Sequence, residues 1–342
     1  MSRPMAQVAA FDARLAVDYV QATSPQALLA GDVLAVLGFG DAAPAHPDPR
    51  YLRVPLQPHG GVSSQAGAGD GLRYEVWRGN APVERGRDGD VAWATDGELL
   101  FGVIEVDEAS VGIVEAATHA YARLTGFLRG TRTPHLLRVW NYLDAITQGQ
   151  GDTERYREFC VGRARGLGDF DATRLPAATA IGRCDEARVI QVYWLAARCP
   201  GMPVENPRQV SAYRYPRQYG PQPPSFARAM LPPTARMPLL LSGTAAIVGH
   251  GSQHDGELLA QLDETFRNFD ALVGAARARR PELPPRFDAG TRLKVYVRDA
   301  HDLPLVEQAL SERFGEAVPR IVLHAAICRR ELAVEIDGVH GT

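Results

Sequence analysis

Lysine is almost missing from this 342-residue chain: of its 37 basic residues only Lys294 is not an arginine. The skew matches the codon bias of a G+C-rich genome, so arginine abundance by itself carries no functional weight. Charge of one sign is lacking too. Thirty-seven basic against 40 acidic residues leave a net charge of −3, so no global field draws in nucleic acid or an anionic membrane, and any anion site must be local. No stretch approaches the ~18 uninterrupted apolar residues of a membrane helix. The start carries Arg3, Asp12, Arg14 and Asp18 where a secretory leader needs an apolar run, and the chain is expected in the cytoplasm. Cys160, Cys184, Cys199 and Cys328 show no CxxC spacing, so free thiols and no structural zinc are expected. What is present, 45% hydrophobic and 23% charged residues, excludes disordered, collagen-like and disulfide-scaffold classes and supports two domains better than one.

Periodicity writes one pattern twice. Residues 98–107 read as extended, 109–128 as helix, 135–143 as strand, 153–164 as helix, and 177–184 and 188–196 as strands. The order returns as strand 237–248, helix 255–280, strand 291–297, helix 303–314, and strands 320–327 and 332–336. Leu-Arg-Val-Trp at 137–140 lies opposite Leu-Lys-Val-Tyr at 293–296. An internal β-α-β-α-β-β repeat therefore organises the chain. Runs at 33–37, 51–55 and 72–77 read as short strands extending the first domain's sheet. Domain boundaries follow at 1–199, 200–236 and 237–342. Residues 200–233 hold nine of the 25 prolines, which exclude a regular helix or a central strand there.

Several motifs fail on inspection. Gly38-Phe-Gly-Asp matches a loose dinucleotide fingerprint, but Pro44, Pro47 and Pro49 forbid the helix it needs, so it reads as a turn. His250 and His254 have a metal-like spacing, yet Gly249, Gly251 and Gly256 mark a loop. No P-loop, HExxH, GxSxG or iron triad is present. The expectation is chemistry without metal or cofactor.

Three constellations remain. Tyr156, Phe159, Cys160 and Arg163 fall at i, i+3, i+4 and i+7 on one helix face. An arginine on a buried stripe either pairs with a carboxylate, snorkels past the helix end, or lines a cavity awaiting an anion. In the connector, Tyr213, Tyr215 and Tyr219 interleave with Arg214 and Arg217, with Arg208 before and Arg228 after. Guanidinium forks and tyrosine hydroxyls suit a flat ring bearing carboxylates. Stacking of single-stranded nucleic acid ranks lower in an acidic chain, and a solvated linker is the plain alternative. In the last strand, Leu332, Val334 and Ile336 take one face and Glu335 the other. Facing solvent, Glu335 is ordinary; in a cleft, burial raises its pKa and makes it a general acid. Cys328 has the opposite parity and reaches the same place only through a turn or bulge near 329–331.

The segment from Leu241-Ser-Gly-Thr-Ala through Asn268 and Val295-Tyr-Val to Val334-Glu-Ile resembles a YjgF-type unit. Arg138-Val-Trp-Asn, Glu154-Arg-Tyr-Arg-Glu-Phe-Cys-Val-Gly-Arg, Asn206-Pro-Arg-Gln-Val-Ser-Ala-Tyr-Arg-Tyr-Pro-Arg-Gln-Tyr-Gly-Pro and Cys328-Arg-Arg-Glu-Leu-Ala-Val-Glu-Ile together resemble the chorismatase family, from about residue 95 onward. The resemblance implies an α+β fold of two YjgF-like (chorismate-mutase-like) β-α-β-α-β-β units in one chain, with mixed sheets and helices packed on one face. It implies cofactor-free cleavage of pyruvate from chorismate. By motif, the acid is Glu335, with Cys328 beside it; the substrate-gripping residues are Tyr156, Arg163, Tyr215 and Arg228, with Tyr213, Arg214, Arg217, Tyr219 and Gly243 close by. A cysteine at 328 resembles the branches that make 3-hydroxybenzoate, one of which also releases 4-hydroxybenzoate, rather than the branch that hydrolyses chorismate to a dihydroxycyclohexadiene carboxylate. The rival readings are an imine deaminase, a non-catalytic aromatic-acid sensor and, weaker still, a metal-dependent oxygenase. YjgF units usually trimerise, but a fused pair can build that interface internally, so a monomer is expected, with a trimer as the alternative.

Overall fold

The computed structural model describes residues 11–59 and 71–341; residues 1–10, which include part of the segment read for a leader, lie outside the described residues. The repeat is visible as topology. In the first unit, strand Leu99–Asp107 leads to helix α1 (Gly112–Arg129), strand His135–Asp144, helix α2 (Arg155–Leu167), and strands Ala177–Arg183 and Val189–Ala197. In the second, Leu239–Thr244 leads to α3 (Leu258–Arg277), Thr291–Val297, α4 (Leu303–Phe314), Arg320–His324 and Val334–His340. Both sheets run third, second, fourth, first strand, with the third and second parallel and the others antiparallel. The architecture is α+β, two YjgF-like units in one chain.

Helix spacing explains the packing. Ile113, Ala116, Ala117, Ala120, Tyr121, Leu124 and Leu128 give α1 one buried face, at the periodicity that fits a sheet-facing helix. Gly162 and Gly166 let α2 lie almost backbone to backbone on α1. A Cβ at Gly166 would meet Thr118 O and Tyr121 Cβ, each at 2.6 Å. This close approach fixes the face of α2 that carries Arg163.

Two expectations are corrected. The strands at 33–39, 51–54 and 72–78 do not extend the first sheet; with Ala16–Ala22 they form a separate four-stranded sheet. The first sheet is extended instead by the hairpin Glu84–Asp88 and Val91–Thr95. The connector also contributes an interior strand: Ala229–Leu231 lies between Met202–Val204 and Leu239–Thr244. Its prolines follow it, at 232 and 233, where they cost no ladder bond, and Pro203 sits on the edge strand, as the missing donor requires.

Helices cover one face of each unit's sheet, in clusters around Tyr121 and Phe159 and around Phe266 and Phe269. The other faces meet the four-stranded sheet in a common core holding Trp77, Trp140, Tyr193, Leu240 and Tyr296. The single lysine lies there, 2% exposed, paired with Glu75 at 3.1 Å and 4.7 Å from the Trp140 ring centroid. Among the described residues, no helix is long and apolar enough to cross a membrane.

Candidate active site

The two units meet along strands Ala177–Arg183 and Leu239–Thr244. Ala178 N–H donates to Ser242 Oγ at 2.9 Å, and Gly182 and Ala326 exchange both backbone hydrogen bonds. Beside this seam lies a cavity of about 340 Å³. The first unit contributes Tyr156 and Arg163 from α2 and Thr179 from its strand. The second contributes Gly243, Cys328, Arg329 and Glu335, and the connector contributes Tyr215, Tyr219, Phe226 and Arg228.

Arg163 is 3% exposed, and its Nε and Nη2 have no hydrogen-bond partner. The guanidinium lies over the Tyr121 ring at 5.0 Å. Of the alternatives for an arginine on this stripe, the structure thus shows a buried cation lining a cavity. Leaving such donors dry and unpaired is costly unless a ligand takes them up. Arg228, also 3% exposed, donates through Nη2 to Val210 O at 2.8 Å and Tyr215 OH at 2.7 Å, while its Nε has no partner.

Strand alternation places Val334 and Ile336 in the apolar cluster under α3, which turns Glu335 and Asp337 to the opposite face. That face is the inter-unit cleft, and Glu335 is 5% exposed. Burial, and next Asp337, push its carboxyl up to about 8, against the pull of Arg138, Arg228 and Arg329. It is therefore largely protonated at neutral pH, in a site rich in cations. Cys328 Sγ stands 3.9 Å from Glu335 Oε2. The parity obstacle is removed by a turn in which Leu332 N–H donates to Arg329 O at 3.1 Å. Burial and the neighbouring Glu335 hold the Cys328 thiol well above its ordinary pKa, which disfavours the thiolate. Gly243 is needed for space: a Cβ there would fall on Glu335 Oε1.

Residues 75–196 match the family described as chorismatase FkbO/Hyg5-like, N-terminal. A chorismatase of Streptomyces rapamycinicus is 38% identical over 275 residues, 78% of this chain and 81% of that protein. This chain belongs to the chorismatase family. A 3-hydroxybenzoate synthase of Streptomyces hygroscopicus is 34% identical over 279 residues, covering 78% of this chain and 80% of its own. A chorismatase crystal structure superposes with a TM-score of 0.80 at 32% identity, covering 97% of this chain and 100% of that one.

Within this chorismatase-family chain, the cleft gathers Tyr156, Arg163, Tyr215, Tyr219, Arg228, Gly243, Cys328 and Glu335. Four of the connector residues singled out from the sequence, Arg208, Tyr213, Arg214 and Arg217, are not among its lining. Arg217 is exposed and pairs with Asp152 at 2.5 Å. Arg214 is exposed and lies over the Tyr213 ring at 5.6 Å. Arg208 is also diverted, binding Glu264 at 2.5 Å and Asn268 at 2.7 Å, which ties the connector to α3. His250 meets Tyr219 OH through Nδ1 at 3.1 Å, and His254 approaches Glu264 at 3.6 Å.

The sequence reading missed Thr179, Phe226 and Arg329. Arg329 lies 4.2 Å from the Tyr219 ring centroid and 5.3 Å from that of Tyr215, donating to His250 O at 2.9 Å. Its neighbour in sequence, Cys328, was the available signal. The repeat also explains why one acid is present and not two. Glu335 is in register with Tyr296, and in the first unit Tyr193 is in register with Trp140. A tyrosine thus occupies the first unit's matching position.

Proposed function

We propose that this chain converts chorismate to 3-hydroxybenzoate and pyruvate without a cofactor, with Glu335 as the initiating acid. The observation that carries the reading is the coexistence of a buried carboxyl, its pKa pushed up to about 8 by burial, with buried guanidinium groups whose donors are unfilled. Chorismate carries one carboxylate on its cyclohexadiene ring and a second on the enolpyruvyl side chain, and Arg163 and Arg228 are placed to grip them, with Tyr156 and Tyr215 as hydrogen-bonding walls. Glu335 gives its proton to the terminal methylene of the enolpyruvyl group, leaving an oxocarbenium ion at the ether carbon. The neighbouring ring hydroxyl, rather than water, then attacks. It displaces pyruvate from the ring carbon that carries the ether, the C–O electron pair leaving with pyruvate; the hydroxyl proton returns to the Glu335 carboxylate, and the arene-oxide-like species left behind rearomatises to 3-hydroxybenzoate as a ring proton moves to oxygen. No water is consumed, since chorismate divides into the two products. A positioned acid contributes roughly 10²- to 10⁴-fold, and orientation of the hydroxyl the rest.

Cys328 favours this product over hydrolysis, because a neutral thiol beside the acid occupies space that an attacking water needs. 4-Hydroxybenzoate is the side product to look for. All the walls named come from one chain, so a monomer suffices for the reaction.

The test is incubation of the purified protein with chorismate, followed by assay of pyruvate and the aromatic acids. Equal amounts of pyruvate and 3-hydroxybenzoate are expected. A dihydroxycyclohexadiene carboxylate as the main product would place the chain on the hydrolytic branch. Ammonia release from 2-iminobutyrate with chorismate untouched would overturn the reading in favour of an imine deaminase.

A further inference from the structure

We propose that Asp337 is a positioning residue of this site, the fixed anchor that sets Glu335, Thr179 and Arg138 relative to one another. The proposal rests on the reading of Glu335 as the proton donor. Asp337 is completely buried. Its Oδ2 accepts from Thr179 Oγ1 at 2.8 Å, Tyr296 OH at 2.9 Å and Trp140 Nε1 at 3.0 Å. Arg138 Nη2 lies 3.2 Å from the same oxygen, and Lys294 Nζ is 3.8 Å from Oδ1. Arg138, Trp140 and Thr179 come from the first unit, Tyr296 and Lys294 from the second. Three neutral donors and two cations thus converge on one buried carboxyl.

From this anchor two links reach the cavity. One is structural. The Thr179 hydroxyl that donates to Asp337 accepts from Arg138 Nη2 at 2.5 Å and from Gly243 N–H at 3.0 Å, and Gly243 is the residue that borders Glu335 Oε1. The other is electrostatic. Asp337 follows Glu335 by two residues on the same strand face, a rise of about 6.6 Å. At that separation Asp337 raises the pKa of Glu335, second only to burial.

The groups around Glu335 make this charge consequential. Cys328 and Arg329 approach it from the irregular segment, Arg228 from the connector and Arg138 from strand His135–Asp144, and Tyr156 and Arg163 face the same cavity from α2. Arg138, Arg228 and Arg329 all favour the carboxylate, and Asp337 opposes them. Without Asp337, burial alone opposes the three guanidinium groups, and Glu335 gives up its proton at lower pH.

The experiment is the pH profile of pyruvate release from chorismate by Asp337→Asn, read beside the infrared carboxyl band of Glu335, identified as the band missing in Glu335→Gln. The alkaline limb of kcat/KM, expected near about 8 in the parent, should move down by about one to two pH units in Asp337→Asn. Activity at about pH 8 then falls roughly 5- to 50-fold, while activity at about pH 6 stays within about threefold of the parent. A uniform loss with an unmoved limb and an unmoved band would overturn the proposal. A shifted band together with full pyruvate release by Glu335→Gln would retain Asp337 as the positioning charge but remove the donor reading. Thr179→Val, which keeps the charge and cuts the structural link, gives the independent check should Asp337→Asn not fold. Its limb should stay within about 0.3 units of the parent while kcat drops about tenfold and KM hardly changes. Parental kcat, or a displaced limb, in that variant would contradict the proposal.

Discussion

Arg138 and Lys294 occupy matching positions in the two repeats, each second in its Leu-Arg-Val-Trp or Leu-Lys-Val-Tyr run, and both converge on one carboxylate, Asp337. The two repeats thus share a buried charge cluster, to which the four-stranded sheet adds Glu75. Lys294→Met leaves Glu75 and Asp337 short of their shared cation. Breaking a buried pair from one side costs about 3–5 kcal/mol, and urea unfolding should show a loss of that order. Lys294→Met combined with Glu75→Gln should recover part of it.

Arg163 and Arg228 are both buried arginines of the cavity, yet their substitutions should separate. Arg163→Met removes a cation with unfilled donors, so the free protein should be no less stable by thermal unfolding, and even more stable. The KM for chorismate should rise by about 30-fold or more, the equivalent of at least ~2 kcal/mol. Arg228→Met instead strands Val210 O and Tyr215 OH, a cost of about 1–3 kcal/mol in the free protein. Equal destabilisation by both changes would contradict the geometry.

Gly243→Ala adds a methyl group where Glu335 Oε1 now lies. The carboxyl must shift, and a displacement of about 1 Å at a reacting group costs roughly 100-fold in rate. Steady-state kinetics should show the loss mainly in kcat. A variant with parental kcat would mean that Glu335 works from a different position.

Glu335 also ties stability to pH. Its carboxyl titrates at about 8 in the folded chain against an ordinary 4.5. Between those values the folded state keeps a proton that the unfolded chain has released. Its stabilising contribution is complete below 4.5 and is lost as pH rises through about 8. Glu335→Gln cannot ionise, so its urea midpoint should gain on that of the parent as pH rises from about 5 to about 9. A constant gap across that window would mean that the group is not held neutral.

Particular residues show how much was legible beforehand. The repeat could be read because strand and helix periods are local, and the Leu-Arg-Val-Trp and Leu-Lys-Val-Tyr runs mark the same strand in each unit. Arg163 stood out because helical spacing put a charge on an apolar stripe. Alternation left Glu335 undecided between solvent and cleft, because parity gives a face and not what covers it. The same parity places Asp337 beside Glu335, a signal present in Leu332-Ala-Val-Glu-Ile-Asp and passed over. Arg217 and Arg208 could not be sorted from Arg228, since their partners Asp152 and Glu264 are more than fifty residues away. The strands at 33–39 and 72–78 were recognisable as strands, but sheet membership depends on pairings that no local pattern encodes.

The central claim is that a neutral Glu335 carboxyl, caged among arginines, starts the reaction by protonating the enolpyruvyl group. Its most direct test is single-turnover pyruvate release from chorismate by Glu335→Gln, with substrate binding followed in the same samples. The account predicts that chorismate binds about as tightly as to the parent and that pyruvate release falls by roughly 10²-fold or more; release at the parental rate would contradict it.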